Sequence, residues 1–131
     1  MPGKSQSHTD AVLNVLRGAD LTGVAPYVGL FSVAPADDNS AGTELAGNGY
    51  ARQAVTFGAP VTDAGNVRKV SNTSIIQFGP ALSDWPQAVA FGVFASPAGA
   101  LLYWDALPTP KTVQQDDYGQ FGVDTLVVKE D

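Results

Sequence analysis

From Ala25 onward the chain is cut into short apolar runs by clusters of Gly, Pro, Asn and Asp, and no interval between runs is long or periodic enough for a helix. That punctuation is the strongest constraint on the fold. Runs of four to eight apolar and β-branched residues bounded by turn residues are the mark of strands. Pro26 to Ala34 reads as a strand buried on both faces, and Ala51 to Phe57 alternates, with Val55 and Phe57 on one side and Arg52, Ala54 and Thr56 on the other. Asn66 to Val70 is a weaker, polar strand and Ser74 to Phe78 a stronger one. Gln87 to Ala95 and Ala100 to Ala106 flank Ser96-Pro97-Ala98-Gly99, a good hairpin turn. Lys111 to Gln115 and Gln120 to Lys129 complete about eight strands at the spacing of a sandwich or barrel. Gly29, Gly92 and Gly122 inside these runs predict bulges or close backbone approach. Gly47-Asn48-Gly49 predicts a positive-φ turn leading into the Ala51 strand.

One helix precedes them. Ser7 or Thr9 is placed to cap it, Val12, Leu13, Val15 and Leu16 form its apolar stripe, and Gly18 stops it. At about three turns it is too short to stand alone, so it is expected to lie on the β body. With 131 residues and no repeat or linker, the chain is expected to form a single domain, 1–131, with a flexible segment 1–7 and a short helix 8–17. The expected class is all-β, a jelly-roll-like β-sandwich of antiparallel strands.

Charge and residue inventory then exclude several functions. The net charge is −6, and the seven Lys and Arg form no basic run beyond Arg68-Lys69, so nucleic acid is not an expected partner. There is no cysteine, hence no disulfide, thiolate metal site or cysteine nucleophile. No apolar run approaches the roughly 20 residues of a membrane span, and the first residues lack the apolar core of a signal peptide, so a soluble protein made in a cytoplasm is expected, with no membrane partner. Only 15% of residues are charged, against about a quarter in most domains, which suggests that part of the neutral surface is covered by a partner.

A search for chemistry finds little. His8 is the single histidine, without the fixed partners of a triad or a zinc site. Asp37-Asp38 and Asp116-Asp117 could bind a cation, but neither matches a calcium loop, and Asp is a favoured turn residue. Glu44, Asp105 and Asp116 are the carboxylates that a glycosidase would have to draw on, and nothing in their setting marks them. No catalytic, cofactor-binding or metal-binding residue is therefore expected, and no enzyme. Trp85, between Asp84 and Pro86, is the aromatic most open to a surface role such as glycan stacking. Arg52 is either an ion-pair donor at a surface or interface, or a solvated edge charge. The stretch Pro35 to Gly49 is long for a loop in a compact domain, and reads either as a binding loop or as a mobile connection.

The segment Pro26-Tyr-Val-Gly-Leu-Phe-Ser-Val-Ala-Pro35, then Gly42-Thr-Glu-Leu and Gly49-Tyr-Ala-Arg-Gln-Ala-Val-Thr-Phe-Gly-Ala-Pro60, resembles a family of small tailed-phage proteins often labelled tail fibre protein. Some of these resemble jelly-roll cement, or head-decoration, proteins. The similarity runs on through Ile75-Ile-Gln-Phe, Asp84-Trp, Phe91-Gly-Val-Phe, Leu101-Leu-Tyr-Trp and Leu107-Pro-Thr-Pro-Lys-Thr-Val113. It also takes in the helix Ala11 to Arg17. Departures at Pro86 and around Ala95-Ser96 touch turns only. The resemblance implies a virion component with a sandwich fold and no enzymatic activity. Fibre proteins tend to be longer and repetitive, so a cement protein is the preferred expectation. It would lie on the capsid surface, bind the major capsid protein and associate with itself. A tail-fibre or receptor-binding module is the alternative. The expected contact regions are Met1 to Ser7, the Pro35 to Gly49 loop and the C-terminal tail.

Overall fold

The computed structural model describes residues 3–21, 23–36 and 42–130. In chain order the elements are β1 (Gly3–Lys4), α1 (Gln6–Asn14), β2 (Tyr27–Val33), β3 (Thr43–Glu44), β4 (Gln53–Ala54), β5 (Val61–Thr62), β6 (Arg68–Ser71), β7 (Ile76–Phe78), β8 (Ala88–Phe94), β9 (Leu101–Lys111), β10 (Gly119–Phe121) and β11 (Val127–Glu130). A short 3₁₀ turn, Val15–Arg17, extends α1. The strands are antiparallel throughout. The large sheet runs β1-β9-β8-β2-β3, with β4 also on β2, and the smaller sheets are β11-β6-β5 and β10-β7.

The protein is an all-β sandwich with one short helix, as its punctuation predicts. Alternation in β2 and β8 sends Val28, Leu30, Phe91 and Val93 to one face of the large sheet. There they meet Ile76, Phe78 and Phe121 from β7 and β10, with Leu107, Trp85 and Leu126 closing the core. Edge-on contacts of Phe78 and Phe91 with Phe121 order the aromatics across the two layers.

The other face is nearly flat at its centre. Gly29 and Gly92 stand opposite each other in the β2–β8 ladder. A side chain at either would strike a ring: a Cβ on Gly29 would lie 2.8 Å from Phe94, and one on Gly92 2.7 Å from Phe31. The two phenylalanines lie across this glycine pair, their centroids 5.9 Å apart. These glycines make room for covering side chains, as close approach predicts. Gly122 has no neighbour closer than 3.6 Å to its would-be Cβ and does no such work.

Several boundaries differ from expectation. Residues 3–7, expected to be flexible, are strand and helix, because the outer edge of β9 offers unpaired backbone groups that β1 satisfies. Ser5, not Ser7 or Thr9, caps α1: its Oγ accepts from His8 N at 3.2 Å. The helix does not lay its apolar stripe on the body. It buries no residue, and Leu13 and Leu16 are 55% and 86% exposed. The strand predicted at Ala100 to Ala106 runs on through Pro108 and Pro110 to Lys111 as β9, and the strand expected over Lys111 to Gln115 does not form, since β9 ends at its first residue. Ala90 faces Ala106 and Ala88 faces Lys111, so β9 bulges between them and the prolines need donate nothing there. Gln120 to Lys129 divides into β10 and β11 around a turn in which Asp124 has φ 64°.

Candidate interaction surface

Three polar assemblies could carry function, and each is built from the local sequence outward. The first grows from the turn Gly47-Asn48-Gly49, whose residues have φ of 72°, 54° and 85°. This turn delivers Tyr50 and Arg52 against the large sheet. Arg52 grips Glu44 with two parallel bonds, Nε to Oε2 and Nη2 to Oε1, both 2.9 Å. Its Nη1 donates to the carbonyls of Pro97 and Gly99 at 3.1 Å each, at the tip of the β8–β9 hairpin. The guanidinium lies 3.4 Å from the Phe94 centroid. Tyr50 donates its hydroxyl to Glu44 at 2.7 Å and accepts from Leu30 N at 2.9 Å. Burial, and then the bond to Glu44, push the Tyr50 phenol well above its ordinary range. Arg52 is thus an ion-pair donor with a structural task, tying β3, the Tyr50 segment and a hairpin together. A cleft of about 430 Å³ opens beside it, floored by Phe31, Phe94 and Leu101. The clasp leaves that cleft mainly an apolar floor, because most guanidinium donors are already committed.

The second assembly lies where the chain's two ends meet. Lys4 and Tyr103 both donate to Glu130, and His8 packs edge-on to Tyr103 with centroids 5.1 Å apart. Burial works against the Glu130 charge, yet the bonds from Lys4 and Tyr103 hold its carboxyl below the usual range. Burial and the neighbouring Lys4 charge lower the His8 pKa. His8 is therefore a half-buried imidazole packed on Tyr103, with its neutral form favoured.

The third assembly resolves a charge conflict. Lys69 and Lys129 face each other directly in the β6–β11 ladder, a destabilising arrangement by itself. Asp63 sits between them, 3.5 Å from Lys69 and 2.9 Å from Lys129. The Lys129 bond, then one from Ala64 N–H, pull the Asp63 carboxyl down to about 2.

The remaining sequence candidates scatter. Asp37 and Asp38 lie outside the described residues. Asp116, at φ 69°, and Asp117 belong to a turn held by Asp116 N to Ala81 O and Asp117 N to Gln114 O. Asp105 accepts from the adjacent Ala106 N at 2.8 Å, and Glu44 is engaged by Arg52 and Tyr50. Among the described residues no group of three or more His, Cys, Asp or Glu is placed to hold a metal ion. Trp85 is 4% exposed, its Nε1 donating to Asn48 O at 2.8 Å and its ring edge-on to Tyr50, so it belongs to the core and not to a glycan-stacking surface. The Pro35 to Gly49 loop is partly built in: Pro35 and Leu45 are buried and Thr43–Glu44 forms β3. Sequence reasoning missed the exposed apolar residues Leu13, Leu16, Leu21 and Val24, because a helical stripe normally signals burial.

No helix among the described residues is long and apolar enough to cross a membrane. A family model described as podophage GP4 fiber I protein gp80 matches residues 3–129. No curated protein matches the chain.

Proposed function

The chain belongs to the family of the podophage GP4 fiber I protein gp80, a fibre-type structural component of the phage virion, and from that premise we propose that it acts by assembly alone, as a β-sandwich building unit of the fibre. The observation that carries the reading is the family match over residues 3–129, which spans the whole sandwich from β1 to β11. The family description speaks for a fibre over the capsid cement role that compactness and the lack of repeats favour.

An assembling rather than catalytic role fits the side chains. Glu44, Asp63 and Glu130 are each held in ion pairs that join segments distant in the fold. His8 packs on a tyrosine, and Trp85 is spent on the core. What the surface offers instead is exposed apolar side chains on a small, weakly charged body. Its partners on this reading are other virion proteins, including further copies of itself, with no cofactor.

Localisation in purified particles tests the proposal. Antibody or density for this chain should fall on the fibres. Density repeating over the capsid lattice between major capsid protein subunits would overturn the fibre reading in favour of head decoration.

A further inference from the structure

The N-terminal strand and helix grip the body at one end only. β1 lies on the outer edge of β9, Gly3 opposite Trp104 and Lys4 opposite Tyr103. Ser5 extends the grip, its N–H donating to Leu102 O at 2.9 Å and its Oγ to Leu101 O at 2.6 Å. Lys4 pairs with Glu130, His8 meets the Tyr103 ring, and Gly3 and Ser5 are buried. After residue 8 the segment's hydrogen bonds turn inward on itself: Thr9 N to Ser5 O, Gly18 N to Val15 O, Ala19 N to Asn14 O, and Arg17 to the Asn14 side chain. α1 buries nothing. Residues 18–21 and 23–25 are exposed and are neither helix nor strand.

We propose that residues 3–17 form an exchangeable arm, and that in the assembled fibre the arm of one copy docks on the β9 edge of another. The occupant of that edge is identified by its lock: the site takes Gly3-Lys4-Ser5, which every copy carries. Exchange replaces each contact within a chain by the same contact between chains, so no bond is lost. The main-chain ladder supplies the affinity of an added strand, and the Lys4–Glu130 pair and the Ser5 hydroxyl supply its register.

Reach and surface both support the exchange. The connection over residues 18–25 spans roughly 26–29 Å when extended. Within one chain it must pass only from outside β9 to β2, three strand spacings or roughly 14 Å. The connection is thus roughly twice as long as the closed arrangement requires. The closed arm also leaves Leu13, Val15, Leu16, Leu21 and Val24 exposed, five large apolar side chains in one short segment. Strung between two bodies, that segment gains a neighbour on its outer side. Exchange either closes reciprocally between two copies, or runs head-to-tail around a ring or along a filament.

The inference rests on the reading of the chain as a fibre component, and one experiment separates their failures. The chain lacks cysteine, so pairs introduced by Gly3→Cys with Trp104→Cys, and by Lys4→Cys with Tyr103→Cys, are unambiguous. Cross-strand partners lie within disulfide distance. Virions carrying either pair are oxidised, denatured and run without reductant. Exchange predicts bands at multiples of the 13.6 kDa chain, collapsing to one band on reduction. Single-chain bands for both pairs overturn it. The reduced lane reports only that the chain is in the particle, so a fibre reading that fails shows in the localisation described above, while an exchange that fails shows in the oxidised lane.

Discussion

Arg52→Met tests whether the clasp at the hairpin holds the sandwich together. The substitution keeps an unbranched apolar side chain but removes the guanidinium from over Phe94, with its bonds to Glu44 and to the Ser96, Pro97 and Gly99 carbonyls. Truncating one partner of a fully buried pair costs about 3–5 kcal/mol, while a fully exposed pair is worth about 0–1 kcal/mol. The side chains here are 17% and 23% exposed, nearer the first case, but water can reach the abandoned Glu44. A loss of about 2–3 kcal/mol follows, or roughly 10 °C in Tm for a domain of this size. Urea unfolding followed by the fluorescence of the buried Trp85 gives the value, with an unchanged m-value showing that the fold persists. Glu44→Gln and the double variant complete a cycle, with an expected coupling of about 1.5 kcal/mol or more. A cost below about 0.5 kcal/mol with no coupling would refute the reasoning.

Asn72, fully buried, donates to Ser74 O and Gly122 O and accepts from Leu126 N, so Asn72→Ala should cost about 3–5 kcal/mol by calorimetry, each orphaned group contributing. Gly92→Ala drives a methyl to 2.7 Å from Phe31 and 2.8 Å from Leu101, and should destabilise by about 1–3 kcal/mol in the same assay. Asp63 has its pKa depressed from 3.8 to about 2, so its contribution is complete above pH 4 and is lost as pH falls toward 2; Asp63→Asn should flatten the pH dependence of Tm across that window, and an unchanged slope would count against the Lys69–Asp63–Lys129 bridge. His8 is shifted the other way for a base: the docked arm favours neutral imidazole, its stabilisation is complete above pH 6.5 and it declines as pH falls below that value. The single imidazole resonance should titrate below 6.5, and amide protection factors at residues 3–8, corrected for the intrinsic pH dependence of exchange, should fall over the same range, with Lys4 and Glu130 the charges facing the ring.

Local chemistry carried much of the fold in advance. Gly, Pro and Asn between apolar runs act on their own backbone, so β2, β8 and the hairpin between β8 and β9 are legible to within a residue or two. Glycines 29 and 92 announced a crowded site for the same reason: only a missing side chain admits a ring there.

Only the tertiary structure decided which strands are neighbours and which are edges, because periodicity tells which way a side chain points and not what it meets. Pro108 and Pro110 argue locally against a strand, yet β9 continues through them, since its bulge frees their positions from the ladder. Lys4 meets Glu130 across nearly the full length of the chain, and Asn72 meets Gly122 across fifty residues. Trp85 looked exposed between an aspartate and a proline, and became core when the Asn48 carbonyl arrived to take its N–H. The helix shows the converse. Its stripe promised burial, but β1 and Ser5 anchor only the start of the segment beside the edge strand β9, and Leu13, Val15 and Leu16 stay exposed.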